Sequence, residues 1–143
     1  MEYWGAGAVL RWNEIMRELV ALARAKPGEL NYGSAGAGGV NHLVLELLKL
    51  KINTFITHIP YRGVAPAAMD MVAGQIHLVT GTIPALLPLI KDGRIKALAV
   101  TSRQRVAALP DVPSIAESGF PNFESVTWYA LYAPAKTPKP IID

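Results

Sequence analysis

Residues 30–48, "LNYGSAGAGGVNHLVLELL", run from a short apolar segment through four glycines into a second apolar segment. "LNYGS" reads as a strand that ends in the glycine loop. After the loop, Val40, Leu43, Val44, Leu47 and Leu48 fall at i, i+3, i+4, i+7 and i+8, which defines one buried helix stripe. A strand, a glycine loop and a helix in that order open an α/β unit. Glycine allows positive φ and close approach, so the backbone N–H groups of residues 35–40 can converge on one concavity. The helix start adds unpaired N–H groups and partial positive charge. This suits a carboxylate or a small phosphate; a tight turn that binds nothing is the alternative, and the loop alone leaves both open.

The rest of the chain repeats the pattern. Upstream, Ile15, Leu19, Leu22 and Ala23 recur at helical spacing until "KPG" at Lys26–Gly28 stops the helix. Downstream, "TFITHI" (Thr54–Ile59) and "IHLVT" (Ile76–Thr80) read as strands, and "APAAMDMVAG" as a helix with Pro66 in its first turn. "IPALLPLIKDG" reads as a helix that Pro88 should kink. "IKALAVTS" (Ile95–Ser102) is the clearest buried strand. Pro110, Pro113 and Pro121 bracket a short helix at Ser114–Ser118, and "SVTWYALYAP" (Ser125–Pro134) is a last strand. "AKTPKPIID" reads as a strand-to-helix connection. Strands alternating with helices predict an α/β fold in three layers, a mostly parallel sheet with helices on both faces. In such sheets ligands sit at the carboxyl ends of the strands.

Composition sets outer bounds. The 143 residues suit one domain, and 51% apolar against 17% charged residues argue against disorder. Net charge is +3, but Lys91, Arg94, Lys96, Arg103 and Arg105 are scattered as on a solvated face, unlike a nucleic-acid patch. The absence of cysteine excludes disulfides and thiolate metal sites. No stretch reaches the ~18 continuous apolar residues of a membrane helix. The opening "MEYWGAGAVLRW" lacks the features of a secretory signal, so the chain is either cytoplasmic or separated from its export signal.

The named chemical motifs fail on inspection. Gly33 and Gly38 fit the P-loop spacing, but Gly39-Val40 stand where Lys-Ser/Thr belongs. A dinucleotide fingerprint from Gly36 meets Asn41 in place of its third glycine. A nucleophile elbow at Ser34 meets Tyr32 instead of glycine. His42, His58 and His77 have no metal-ligand spacing and read as surface or hydrogen-bonded residues. The expectation is no enzyme, no metal and no cofactor. Two further loops share the predicted ligand edge. "HIPYRG" (His58–Gly63) offers Tyr61 and Arg62, which could pair a carboxylate, and "VTGTIP" (Val79–Pro84) offers Thr80 and Thr82.

Read together, "KPGELNYGSAGAGGVNHL", "HIPYRGVAPAAMDMVAGQI", "GRIKALAVTSRQRVAALPDVPSIAESGFPNFE" and "WYALYAPAKTP" resemble the Bug-type solute receptors of tripartite tricarboxylate transporters, over about residues 14–140 in order. The resemblance implies a periplasmic binding protein with two α/β lobes of type II periplasmic-binding-protein-like fold. Such a protein holds a small dicarboxylate, tricarboxylate or aromatic acid in its cleft and passes it to a membrane permease without chemistry. It places the chain as one lobe, residues 13–143, with residues 1–12 outside the family and the partner lobe absent. Carried over position by position, Ser34, Ala35, Gly36, Ala37, Gly38 and Gly39 would supply backbone donors to a ligand carboxylate. Gly39 stands where members commonly carry Ser. His42 matches the histidine of the first helical turn, and Tyr61, Arg62 and Gly63 match the Tyr-Lys/Arg-Gly turn. Gly81, between Thr80 and Thr82, falls where a polar residue often stands, which points to a simple acid over an amino acid.

Half a clamp leaves its ligand hydrated, so the isolated lobe is expected to bind on the order of millimolar. Surface meant for the partner lobe, with Trp4, Trp12 and Trp128 as candidates, should drive self-association. A lone-lobe sensory or interaction module, or a non-functional remnant, is the alternative reading.

Overall fold

A computed structural model of the chain describes residues 12–127 and 130–142. The first helix, α1 (Trp12–Ala25), buries Met16, Leu19 and Ala23 along one stripe and ends at Lys26–Gly28, where Gly28 takes a φ of +82°. Then follow β1 (Asn31–Ser34), α2 (Val40–Ile52), β2 (Thr57–Pro60), α3 (Val64–Val72), β3 (Leu78–Val79), α4 (Ile83–Lys91) and a terminal turn, α5 (Lys139–Ile142). Left-handed Asn53 stops α2, its N–H donating to the Lys49 carbonyl. α4 runs through Pro88, which over nine residues removes a single backbone donor. Among the described residues no helix is long and apolar enough to cross a membrane.

The sheet order is β2-β1-β3, with both pairings parallel: Tyr32 lies beside His58 on one side and Leu78 on the other. Neighbouring residues of β1 therefore serve opposite layers. Tyr32 is fully buried among residues of α1 and α2, including Leu19, Ala23, Val44, Leu45 and Leu48. Gly33 faces α3. A Cβ there would lie 2.7 Å from Ile76 Cδ1 and 3.0 Å from both Ala67 Cβ and Tyr61 Cε2. The buried alanines Ala67 and Ala68 let α3 settle onto the strand, and α4 packs against α3.

Four readings of the sequence change. The buried stripe of α2 begins one turn later than expected: Val44, Leu45, Leu48 and Ile52 are buried, whereas Val40 and Leu43 are exposed, because the first turn projects past the carboxyl edge of the sheet. Ile95–Ser102 is no ladder strand. Val100 is buried and forms one parallel bridge to Ser114, but the segment does not pair with β3. Its apolar residues meet their need for burial without a backbone ladder. At Ser114–Ser118 there is one helical turn only. Ser114 and Glu117 form a capping box, Glu117 Oε2 accepting the Ser114 N–H at 2.8 Å and Ser114 Oγ the Glu117 N–H at 3.1 Å, but Gly119 at φ +109° ends it. The described residues of Ser125–Pro134 form no strand: Ser125 makes a reciprocal pair with Thr101, and Leu131 and Tyr132 are exposed. Trp4, Trp128 and the side chain of Trp12 lie outside the described residues.

Gly33→Ala is expected to destabilise the chain by about 1–3 kcal/mol through overpacking between β1 and α3. Gly39→Ser, where a Cβ meets nothing within 4 Å, should instead stabilise α2 by a few tenths of a kcal/mol through its capping hydroxyl. Urea unfolding of the two variants checks both signs.

Candidate functional site

Three parallel strands bring three loops to one edge: residues 35–39 after β1, 61–63 after β2 and 80–82 after β3. The loops are tied together. The Tyr61 N–H donates to the Ser34 carbonyl at 3.0 Å, the Thr80 N–H to the Gly33 carbonyl at 3.1 Å, and the Thr80 hydroxyl to the Asn41 carbonyl at 2.6 Å. Each loop ends at a helix start, N-capped by Gly39, Gly63 or Thr82, and none of these caps makes a side-chain hydrogen bond to its helix. The positive φ values of Gly36 (+127°), Gly38 (+79°) and Gly63 (+133°) are open to glycine and costly for other residues. Ala35, Ala37, Gly38 and Gly39 are exposed, as is Arg62 at the rim.

Beneath the glycine loop lies a polar cluster supplied by three elements. His42, Glu46 and Lys49 share a face of α2 at i, i+4 and i+7, and this face meets Tyr32 of β1 and His58 of β2. Lys49 Nζ lies 2.7 and 2.9 Å from the two Glu46 oxygens, and the Tyr32 hydroxyl donates to Glu46 Oε1 at 2.7 Å. His42 Nε2 is 3.7 Å from Glu46 Oε1, and its Nδ1 accepts the Gly38 N–H at 3.0 Å. The rings of His42 and His58 stack at 4.1 Å. Ser34, fully buried, donates to the Gly36 carbonyl at 2.9 Å and so accepts from His58 Nε2 at 2.7 Å.

Burial and the neighbouring His42 lower the pKa of His58 below the ordinary histidine value. Burial alone would raise Glu46, but the hydrogen bonds from Lys49 and Tyr32 outweigh it and hold the carboxyl below its ordinary range. Tyr32 is pushed well up by burial and by its bond to Glu46.

The remaining expected residues take distinct parts. Tyr61 turns its hydroxyl to Asp70 Oδ2 at 2.8 Å, and its ring props Gly33. Gly81 faces Val64, which a Cβ would overlap, so the end of β3 has room for glycine only. His77 stands at the opposite end of the strands, 2.8 Å from Asn31 Oδ1, away from the His42–His58 pair. Glu46 and Lys49 escaped the sequence reading. Their signal was the polar i, i+4, i+7 row on an otherwise apolar helix. Beside the edge an apolar groove of about 450 Å³ runs between the face of α2, β3, α4 and residues 95–102, with Val40, Leu48, Leu78, Leu86 and Leu98 along it.

Residues 12–143 match the family described as "Tripartite tricarboxylate transporter family receptor". The chain is 40% identical over 127 residues to the "UPF0065 protein in tcbD-tcbE intergenic region" of Pseudomonas sp. (strain P51), covering 88% of this chain and 38% of that protein. It is 37% identical over 124 residues to "Protein BugT" of Bordetella pertussis, covering 87% and 38%. The solved structure "R. palustris Rpa4515 with adipate" superposes with a TM-score of 0.83 at 40% identity, covering 88% of this chain and 42% of that one. The chain thus spans about two-fifths of the length of these three proteins.

The cluster predicts how stability depends on pH. Because the folded pKa of His58 lies below the unfolded one, its contribution is complete above the ordinary histidine value and is lost as pH falls through it. Glu46, also lowered, adds a second loss below the ordinary carboxylate value. The thermal midpoint should therefore fall between pH 7 and pH 5, and His58→Gln, which keeps an N–H for Ser34, should flatten that slope. Calorimetric melts of the two chains across this range check it.

Proposed function

The chain belongs to the tripartite tricarboxylate transporter receptor family, and from that premise we propose that residues 13–143 are one lobe of a solute receptor that binds a small carboxylate without transforming it. What carries the reading is the single edge where three helix starts, none with a side-chain cap, are bonded into one surface behind an exposed Arg62. Such an edge offers donors and positive charge to an anion. The related structure that contains adipate supports a dicarboxylate as ligand. The loop that begins at Ser34 and runs through Ala35, Gly36, Ala37, Gly38 and Gly39 faces one carboxylate with the backbone N–H groups that Ser34 burial and the Gly38–His42 bond leave open. Arg62 and Gly63 meet it from β2, and Thr80, Gly81 and Thr82 close the third side. Gly81 brings no side chain to an ammonium group, which favours a plain acid. The missing half of the cleft comes from a second lobe. The complete receptor works in the periplasm and hands its solute to a membrane permease.

A carboxylate on this edge alone stays largely hydrated, so each hydrogen bond gains little. Isothermal titration with adipate should give a Kd on the order of millimolar, and Arg62→Ala should weaken it several-fold. Micromolar affinity in a monomeric chain would overturn the half-cleft reading. Exposed apolar side chains, Leu43, Val126 and Leu131 among them, further support self-association of the isolated chain. Light scattering should then show a mass that rises above 15.4 kDa with concentration.

A further inference from the structure

The Gly38 N–H belongs to the loop expected to face the ligand, yet the protein itself binds it. Counting from the N-cap Gly39, His42 is the third residue of α2. At that position a Glu or Gln commonly reaches back to the N-cap N–H, as half of a capping box. Here an imidazole reaches one residue further, to Gly38, and Gly39 has no hydroxyl to form the other half. A side chain of the helix thus holds the loop at Gly38, through the acceptor His42 Nδ1.

An imidazole accepts at Nδ1 only when neutral, with its proton on Nε2. Glu46 Oε1, 3.7 Å from Nε2, favours that tautomer. The other arm of the loop is held in the same place, since Ser34 links the Gly36 carbonyl to His58, whose ring stacks on His42 at 4.1 Å. Among the described residues, the charged and titratable groups facing the pair are Glu46 and Lys49 from α2 and Tyr32 from β1, with Glu46 bonded to both of the others. A proton on His42 Nδ1 puts a donor against the Gly38 N–H, and the bond between them is lost.

We propose that His42 is the positioning residue of the glycine loop: its neutral ring fixes the loop through Gly38, and protonation of the His42–His58 pair releases it. Only the consequence for ligand rests on the carboxylate reading. That consequence has a distinctive sign. Added positive charge by itself would tighten an anion, whereas a released loop weakens it as pH falls.

The test is nitrogen-15 NMR of the full chain from pH 8 to pH 5, following the glycine amides and the His42 ring. In the wild-type chain the Gly36, Gly38 and Gly39 amides should shift with the same midpoint as the His42 ring. In His42→Asn, whose Oδ1 accepts without titrating, they should stay near their high-pH positions throughout. In His42→Ala they should sit near the acid positions at every pH, with resonances away from the Tyr32–Glu46–His58 cluster unchanged. Glycine amides that ignore the His42 titration, or that are unmoved in His42→Ala, would overturn the proposal. An adipate titration on the same samples should weaken about three- to tenfold from pH 8 to pH 5.5 in wild type and little in His42→Asn. If the amides follow His42 while adipate never binds, the positioning role stands and the carboxylate reading fails. If adipate binds while the amides ignore His42, the reverse holds.

Discussion

α3 can lie against the central strand only because Gly33 leaves a gap there, filled by Ala67, Ile76 and the Tyr61 ring. That contact fixes the rest of the layout. With α3 seated on one face of β1, Tyr32 must enter the other, where α1 and α2 close over it. The crossover from β2 to β3 then passes over β1, so the strand after Ser34 sends its chain to one layer and the flanking strands send theirs to the other. Loops diverging from the carboxyl edge of a parallel sheet leave a crevice between them, the usual place for a ligand in such sheets. Close packing at one glycine and the position of the candidate site are thus a single fact.

How much of this was legible depended on whether the signal was local. The helices α1, α2, α3 and α4 and the strands at residues 31–34, 57–60 and 78–79 followed from periodicity, β-branching and the KPG stop, and the three edge loops followed from strand–helix alternation. Ile95–Ser102 misled because apolar runs report burial, and burial at Val100 was satisfied by a bridge to Ser114 without a ladder to β3. Ser114–Ser118 carried an authentic helix-start signal that Gly119 cut off after one turn. The support beneath the loop was invisible for another reason. His58 meets His42 only through the register that sets it beside Tyr32, and no spacing within the sequence encodes a pairing between strands.

The electrostatics of the edge follow from that support. Glu46 sits one helical turn below a surface of backbone donors, where an isolated carboxylate would repel an anion. Its charge is answered by Lys49 at 2.7 Å and its lone pairs are engaged by the Tyr32 hydroxyl. The cluster is close to neutral as a unit, and its geometry serves to orient His42. The partial charges of the helix starts and Arg62 are therefore left to set the local field.

That field bears on the choice of ligand. An ammonium group needs a carboxylate or a free carbonyl within reach. The acids nearest the edge are both engaged, Asp70 by the Tyr61 hydroxyl and Glu46 by Lys49 and Tyr32. At the end of β3, where a short acidic side chain would complete an amine site, Val64 occupies the space and only glycine fits. An acid at residue 81 would require moving the first turn of α3 away from β3, and the contact at Gly33 holds α3 in place. Under the carboxylate reading, selection against amines thus arises from the packing of α3, and a change of ligand class would have to begin at Val64 rather than at the loop that touches the ligand.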